Sequence, residues 1–188
     1  MKDIKKVYFL FIRYIIIFLA GLGGGLIFYK IFLFPTVFLS AKLLSFFGEA
    51  YFIKDFIIFS DIPIEISKSC VAAAAYYFFF ILILSMELKA KDYFKLLFFN
   101  FGVFLLVNVV RIFFMAFLIE KSFFDSVHML VWNFFSTIFV VLIWFSSVKL
   151  FNIKKIPGYD DFVFLKSLIK TKKRKNSIRS HQNNNSGY

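Results

Sequence analysis

Long apolar runs are the feature that most restricts how this sequence can fold. Hydrophobic residues make up 61% of its 188 residues, with 32 phenylalanines and a mean hydropathy of +0.80. Soluble domains usually contain about 45–50% apolar residues. A helix of about 20 apolar residues matches the thickness of a bilayer. The sequence therefore predicts an all-α, polytopic membrane protein with room for about four such helices.

Four apolar runs are candidates for transmembrane helices, at residues 7–29, 71–88, 93–119 and 127–148. The glycine-rich stretch at residues 21–25 lies within the first run, and we interpret it as a surface on which another helix packs closely. Residues 32–47 contain Pro35 and Lys42, which favours an interfacial or re-entrant helix. Residues 51–59 and 62–66 are rich in aromatic and β-branched residues between turn residues, and they predict a short extracytoplasmic β-hairpin.

The distribution of positive charge predicts the orientation. The net charge is +12, and 10 of the 23 Lys and Arg lie between Lys149 and Arg179. Such a cluster after the last span favours the cytoplasmic side and attraction to anionic lipid; a protein partner and nucleic acid are the alternatives, and we predict no nucleic acid. We expect a plasma-membrane protein with both termini cytoplasmic, a transmembrane domain over residues 1–150 and a basic, largely disordered tail over residues 151–188.

Cys70 is the only cysteine, and it stands where the second span is predicted to begin. One thiol cannot form an intramolecular disulfide or supply a cysteine-rich metal site, and we predict neither a cofactor nor a metal. A free cysteine is often a small packing residue. At the N-terminus of a helix, however, the thiolate is favoured, and the thiolate is the nucleophile.

Antiparallel helices are expected to bring two distant residues level with Cys70. Cys70 and Arg111 are equally far from the predicted inner turn at Ala90 and Lys91, and Arg111 and His128 are equally far from a point beside the predicted outer turn. With equal rise per residue, the three lie at one depth to within about 5 Å. This places them near the extracytoplasmic face.

The residue types at this depth suit nucleophilic catalysis. Arg111 either reaches for outer headgroups or faces the bundle interior, where it favours a nearby thiolate. Asn108, three positions earlier on the same helix face, supports the interior position and can bind substrate backbone or hold the guanidinium. His128 is either an interfacial histidine without chemistry or a general base, because imidazole exchanges protons near neutral pH.

With these residues, the sequence resembles the exosortase/archaeosortase family of integral-membrane cysteine transpeptidases, in a minimal archaeal-type form. The resemblance rests on the segment that leads into Cys70, on the Asn-x-x-Arg-Ile element that contains Asn108 and Arg111, and on His128 at the start of the following span. It covers residues 32–148.

The resemblance implies a peptidase or transpeptidase that acts on surface proteins carrying a C-terminal sorting signal of a short motif, a span and a basic cluster. Cys70 would attack the peptide bond, His128 would exchange protons, and Arg111 would stabilise the thiolate or the oxyanion. The acyl group would pass to a lipid, an amine or water. Many members have a small polar residue and a glycine after the cysteine, where this chain has Val71 and Ala72.

A function of another class is also open. A non-catalytic small membrane protein, either a transporter or an assembly scaffold, has the same apolar composition and needs no reactive thiol. Reactivity of the thiol separates the two hypotheses.

Overall fold

The computed structural model describes residues 2–119, 121–130 and 136–170. This part of the chain is mostly helical and contains one small sheet. The elements in chain order are α1 (Lys2–Gly21), α2 (Leu26–Leu44), β1 (Ala50–Ile53), β2 (Phe56–Phe59), β3 (Ile62–Glu65), α3 (Lys68–Val71), α4 (Ala73–Leu84), α5 (Ala90–Ala116), α6 (Phe124–Leu130), α7 (Ser136–Leu150) and α8 (residues 159–170).

Two of the described helices, α2 and α5, are long and apolar enough to cross a membrane. Helices α4 and α7 are also apolar, but they have only 12 and 15 residues. The expectation of four transmembrane helices is therefore met in part. The predicted fourth span falls on α6, on residues 131–135 outside the described part of the chain, and on α7.

We expected the first apolar run to form one helix. In the structure, the glycine-rich stretch separates α1 from α2. Gly23, Gly24 and Gly25 have φ angles of 85°, 60° and 79°, a left-handed conformation that glycine adopts without steric cost. Gly21 has the packing role that we assigned to the whole stretch, since a Cβ there would lie 2.3 Å from the hydroxyl oxygen of Tyr77.

Helix α2 also differs from the expected interfacial helix at residues 32–47. It begins earlier, continues through Pro35 and packs against both α4 and α5. Proline removes one helical hydrogen bond, and contacts on two sides hold the helix together across that site. Its buried residues are Phe28, Thr36, Val37, Ser40, Ala41 and Leu44.

Helices α4 and α5 run antiparallel and form the centre of the bundle. Near their connection the Tyr93 hydroxyl donates to the carbonyl of Met86. Farther along, the fully buried Tyr76 ring packs edge-on against Phe104, with 5.1 Å between ring centres. The Phe32 ring of α2 stacks on the other side of Tyr76 at 3.7 Å. Aromatic pairs contribute about 0.5–1.5 kcal/mol each beyond their buried area, so this cluster fixes how α2, α4 and α5 align.

The small sheet has three antiparallel strands in the order β1-β2-β3, rather than the two of the expected hairpin. Residues 51–59, predicted as one strand, are divided by a two-residue turn at Lys54 (φ 56°) and Asp55. Alternation along β2 buries Ile57 and Phe59, and the sheet packs on α2 through this face. The last strand leads directly into α3.

The described part of the expected disordered tail, residues 151–170, is folded against the bundle. The guanidinium of Arg13 pairs with the carboxylate of Asp161 in α8, and the Tyr14 hydroxyl donates to the same carboxylate across 3.1 Å. The amide of Gly158 donates to the carbonyl of Ser85 across 2.8 Å. Residues 171–188 lie outside the described part of the chain.

Candidate functional site

Cys70 lies in α3, a single turn of helix, and not at the start of a long one. Ala72 interrupts the helix with a left-handed backbone, at φ 57° and ψ 44°, and α4 begins at Ala73. A macrodipole is the sum of many aligned peptide units, and a four-residue helix has few. The structure therefore removes one of our two reasons for expecting a thiolate at Cys70.

The thiol of Cys70 is half-buried at the junction between β3 and α3. The Ser67 hydroxyl donates to the sulfur across 3.5 Å, and the thiol faces the carbonyl oxygen of Glu65 at 3.9 Å. The hydroxyls of Ser67 and Ser69 are themselves 2.7 Å apart. The sulfur thus has a polar setting supplied by its own loop.

Arg111 connects three elements of the bundle. Its Nη2 donates to the carbonyl oxygens of Ser69 and Cys70, across 3.1 and 2.8 Å. Its Nη1 donates to the hydroxyl of Ser136 in α7 across 3.0 Å. Of the two positions that we considered, the structure places this side chain inside the bundle rather than reaching outward.

Asn108 holds the same segment from one turn earlier on α5. Its side chain is 2% exposed, and its amide nitrogen donates to the carbonyls of Cys70 and Val71, across 2.9 and 3.3 Å. The left-handed residue at Ala72 frees these carbonyls from helical hydrogen bonds, and Asn108 and Arg111 satisfy them. The sequence indicated only substrate or guanidinium contacts for Asn108, because the helix break that creates these acceptors has no signature in the sequence.

His128 lies on a different helix from the other predicted residues. It belongs to α6, where its ring stacks on Phe124 with 5.5 Å between centres and 8° between planes. Within the described residues it makes no hydrogen bond to Cys70 or Arg111. The structure therefore brings together Cys70, Asn108 and Arg111 and leaves His128 on a separate helix.

A cavity of about 510 Å³ between α5 and α7 includes Arg111 among its lining residues. Asn108, Arg111 and Ser136 supply the polar side chains of its wall. The remaining lining is apolar: Phe104, Leu106, Val107, Val110, Phe114, Met115 and Phe139. Such a largely apolar lining suits an apolar ligand or segment.

A second groove, of about 360 Å³, follows the alanines of α4. Ala72, Ala74 and Ala75 form one wall, and Ser136 and Thr137 lie on the α7 side. These small side chains leave room for the neighbouring helix α7. Among the described residues, no group of three or more His, Cys, Asp or Glu is placed to hold a metal ion.

A scan against protein-family models, a search of curated proteins and a search of solved structures each found no match. The resemblance described above therefore rests on the residues around Cys70, Arg111 and His128. Any function must be argued from the site itself.

Proposed function

We propose that this protein is a membrane cysteine peptidase or transpeptidase that uses Cys70 as its nucleophile. The observation that carries the proposal is the pair of hydrogen bonds from Arg111 and Asn108 to the carbonyl oxygen of Cys70, at 2.8 and 2.9 Å. Arg111 thereby brings a permanent cation to the backbone of the residue that carries the chain's only thiol. The two donors are also the polar residues of the Asn-x-x-Arg-Ile element on which the family resemblance depends.

The proposal includes a membrane location with about four spans. Helices α2 and α5 have the required length, and we assign the other two spans to α3 with α4 and to α6 with α7. Lys89, which precedes α5, and Lys91 in its first turn favour the cytoplasm for that end. The sheet and Cys70 then lie near the extracytoplasmic face, where the C-terminal sorting signal of a surface protein would be bound.

In the proposed reaction, the Cys70 sulfur attacks the carbonyl carbon of a substrate peptide bond. A C–S bond forms, the C–N bond breaks, and the leaving amine takes a proton from His128, which has accepted the thiol proton. A lipid, an amine or water then attacks the thioester and releases the cysteine. An arginine has five N–H donors, and three bonds to protein acceptors leave it able to stabilise the oxyanion.

The backbone at Ala72 supports the family resemblance where the residue type does not. Many members have glycine at the second position after the cysteine, and that position here has φ 57°. Only glycine adopts such a conformation without steric cost. Ala72 thus takes the backbone that a glycine would favour.

For His128 to exchange protons with the Cys70 thiol, its ring on α6 must come within hydrogen-bonding reach of α3. A His128→Gln variant keeps the size and the hydrogen-bonding capacity but cannot take up a proton. We expect it to lose processing while its thermal stability stays near that of the parent protein. Retained processing assigns proton transfer to another group.

The central test measures whether the protein processes a substrate. With a reporter that ends in a genome-encoded sorting signal, the Cys70→Ala variant should accumulate full-length substrate, whereas a Ser45→Ala variant, altered at an exposed helix end, should process normally. Unchanged processing by Cys70→Ala overturns the proposal.

The non-catalytic alternative is favoured by one observation, namely that Arg111 bonds to backbone carbonyls and so has a structural role in its own right. The rate of alkylation of Cys70 by iodoacetamide at neutral pH separates the two functions. The control is a thiol at an exposed site, Ser45→Cys in a Cys70→Ala background. Cys70 should react the faster of the two, and equal rates favour the transporter or scaffold.

A further inference from the structure

Helix α8 presents apolar side chains outward at the end of the bundle where α1 begins. Phe162 and Ile169 are 64% and 70% exposed. We propose that α8 and the first half of α1 form a platform that lies in the headgroup region of the cytoplasmic leaflet and binds anionic phospholipid. This inference rests on the proposed membrane location and is independent of the proposed catalysis.

A buried ion pair fixes which face of α8 turns outward. The side chains of Arg13 and Asp161 are only 5% and 8% exposed where they pair. Arg13 also donates to the carbonyl of Met86 across 3.3 Å. Because a buried charge without its partner is costly, α8 cannot rotate about its axis without losing this contact.

A second contact holds α8 alongside α1. The ammonium of Lys6 lies 4.8 Å from the centre of the Phe164 ring and 2.9 Å from a carboxylate oxygen of Glu87. Contacts of Lys6 with Phe164 and of Arg13 with Asp161 make the two helices antiparallel neighbours. The exposed residues of α8 and of the first half of α1 are here called the platform.

The platform has the composition of an interfacial helix pair. Its exposed apolar residues include Ile4, Tyr8, Phe9 and Phe11 on α1 and Tyr159, Phe162, Val163, Leu165 and Ile169 on α8. Lys166 and Lys170 are exposed among them. Bulky apolar side chains interleaved with lysines are typical of helices that lie in the plane of a membrane surface.

Charge identifies the lipid as anionic. Lys154 and Lys155 precede α8, and the sequence after Lys170 continues as Thr-Lys-Lys-Arg-Lys. A cluster of four to eight basic residues next to a membrane helix is the pattern that binds anionic headgroups. A protein partner would need a more apolar, less charged contact face.

The position of the platform can be measured by lipid quenching of a fluorescent label on single cysteines. All variants carry Cys70→Ala and are reconstituted in nanodiscs whose lipids have brominated acyl chains. Ile169→Cys tests the platform, Leu142→Cys on α7 tests the membrane location, and Lys54→Cys in the sheet turn is the aqueous control.

We expect quenching at positions 142 and 169 and little at position 54. Quenching at 142 without quenching at 169 overturns the platform and leaves the membrane location standing. Absence of quenching at both positions overturns the membrane location itself. A label at 169 that is shielded from an aqueous quencher but is not reached by the lipid bromines indicates a protein partner and also overturns the platform.

The requirement for anionic lipid is tested by comparing zwitterionic nanodiscs with nanodiscs that contain phosphatidylglycerol. Quenching at position 169 should be at least twofold stronger with phosphatidylglycerol, and a Lys166→Gln/Lys170→Gln pair should abolish the difference. A Lys42→Gln/Lys54→Gln pair at the opposite end is the matched control and should leave it unchanged. Salt at about 1 M, where the Debye length is about 3 Å, should also abolish the difference in quenching between the two lipids, as the Lys166→Gln/Lys170→Gln pair does. Equal quenching in both lipids contradicts the electrostatic part of the inference.

Discussion

Arg111 donates a hydrogen bond to the backbone carbonyl oxygen of Cys70, with 2.8 Å between nitrogen and oxygen. The contact joins Arg111 of the Asn-x-x-Arg-Ile element on α5 to the residue that carries the only thiol in the chain. A hydrogen bond from a charged donor contributes about 1.5–3 kcal/mol. The arginine that we assign to catalysis is therefore also a structural residue, and the experiments must separate the two roles.

The first prediction concerns an Arg111→Lys substitution. Lysine carries a single ammonium and lacks the planar fork that reaches Ser69, Cys70 and Ser136 together. We expect a loss of stability of about 1.5–3 kcal/mol and a loss of substrate processing. Thermal unfolding in detergent and a processing assay on the folded fraction measure the two effects.

The matched control for Arg111→Lys is Asn108→Ala, which removes the other donor to the Cys70 carbonyl and keeps the cation. If Arg111 acts on the reacting groups, processing per folded molecule falls much further in Arg111→Lys than in Asn108→Ala. If the two variants lose processing in proportion to stability, Arg111 only supports the backbone.

The second prediction concerns the helix break. A left-handed alanine costs about 1–2 kcal/mol, so Ala72→Gly should raise the melting temperature. Ala74→Gly, in the regular part of α4 where no such strain exists, should lower stability by about 0.5–1 kcal/mol. Opposite signs for two alanine-to-glycine changes two residues apart are the expected result. Equal destabilisation contradicts the left-handed assignment.

The third prediction concerns the buried pair of Arg13 and Asp161. Arg13→Met leaves a carboxylate buried without a partner, and we expect a loss of about 3–5 kcal/mol. The double variant Arg13→Met/Asp161→Leu removes both charges and should recover most of that loss. Thermal unfolding of the two single variants and the double variant measures the coupling.

A Lys6→Met substitution is the control for that pair. It breaks the more exposed ion pair with Glu87, and exposed pairs contribute less than about 1 kcal/mol. If the losses in the Arg13 and Asp161 single variants simply add in the double variant, the two side chains are not coupled as the structure indicates.

Residue spacing predicted that Cys70 and Arg111 lie at the same height along the helix bundle. Cys70 and Arg111 are equally far from the predicted turn at Ala90 and Lys91, which are the first residues of α5 in the structure, and a hydrogen bond joins the two residues. The prediction works because α4 and α5 climb by the same amount per residue and the break at Ala72 places only two residues between Cys70 and the start of α4. The height of His128 stays a prediction, because His128 lies on α6, a short separate helix whose direction does not follow from spacing.

Backbone breaks were the features that spacing and hydropathy missed. Apolar residues continue across Ala72, so hydropathy shows no boundary there, whereas the charged pair Lys54 and Asp55 does interrupt the apolar run that we predicted as one strand. At Ala72 the lost helical bonds are replaced by donors from α5, almost forty residues away. Local sequence cannot report whether such distant donors are present.

The sequence by itself determined the apolar helices and the common height of Cys70 and Arg111. These follow from hydropathy and from fixed rise per residue, which depend on local composition and order. Only the tertiary structure decided that Asn108 and Arg111 donate hydrogen bonds to the Cys70 carbonyl. It also decided that Asp161 pairs with Arg13 and so holds α8 against α1. Buried polar groups need hydrogen-bond partners. Here the partners lie far apart in the sequence and meet only when the helices pack together.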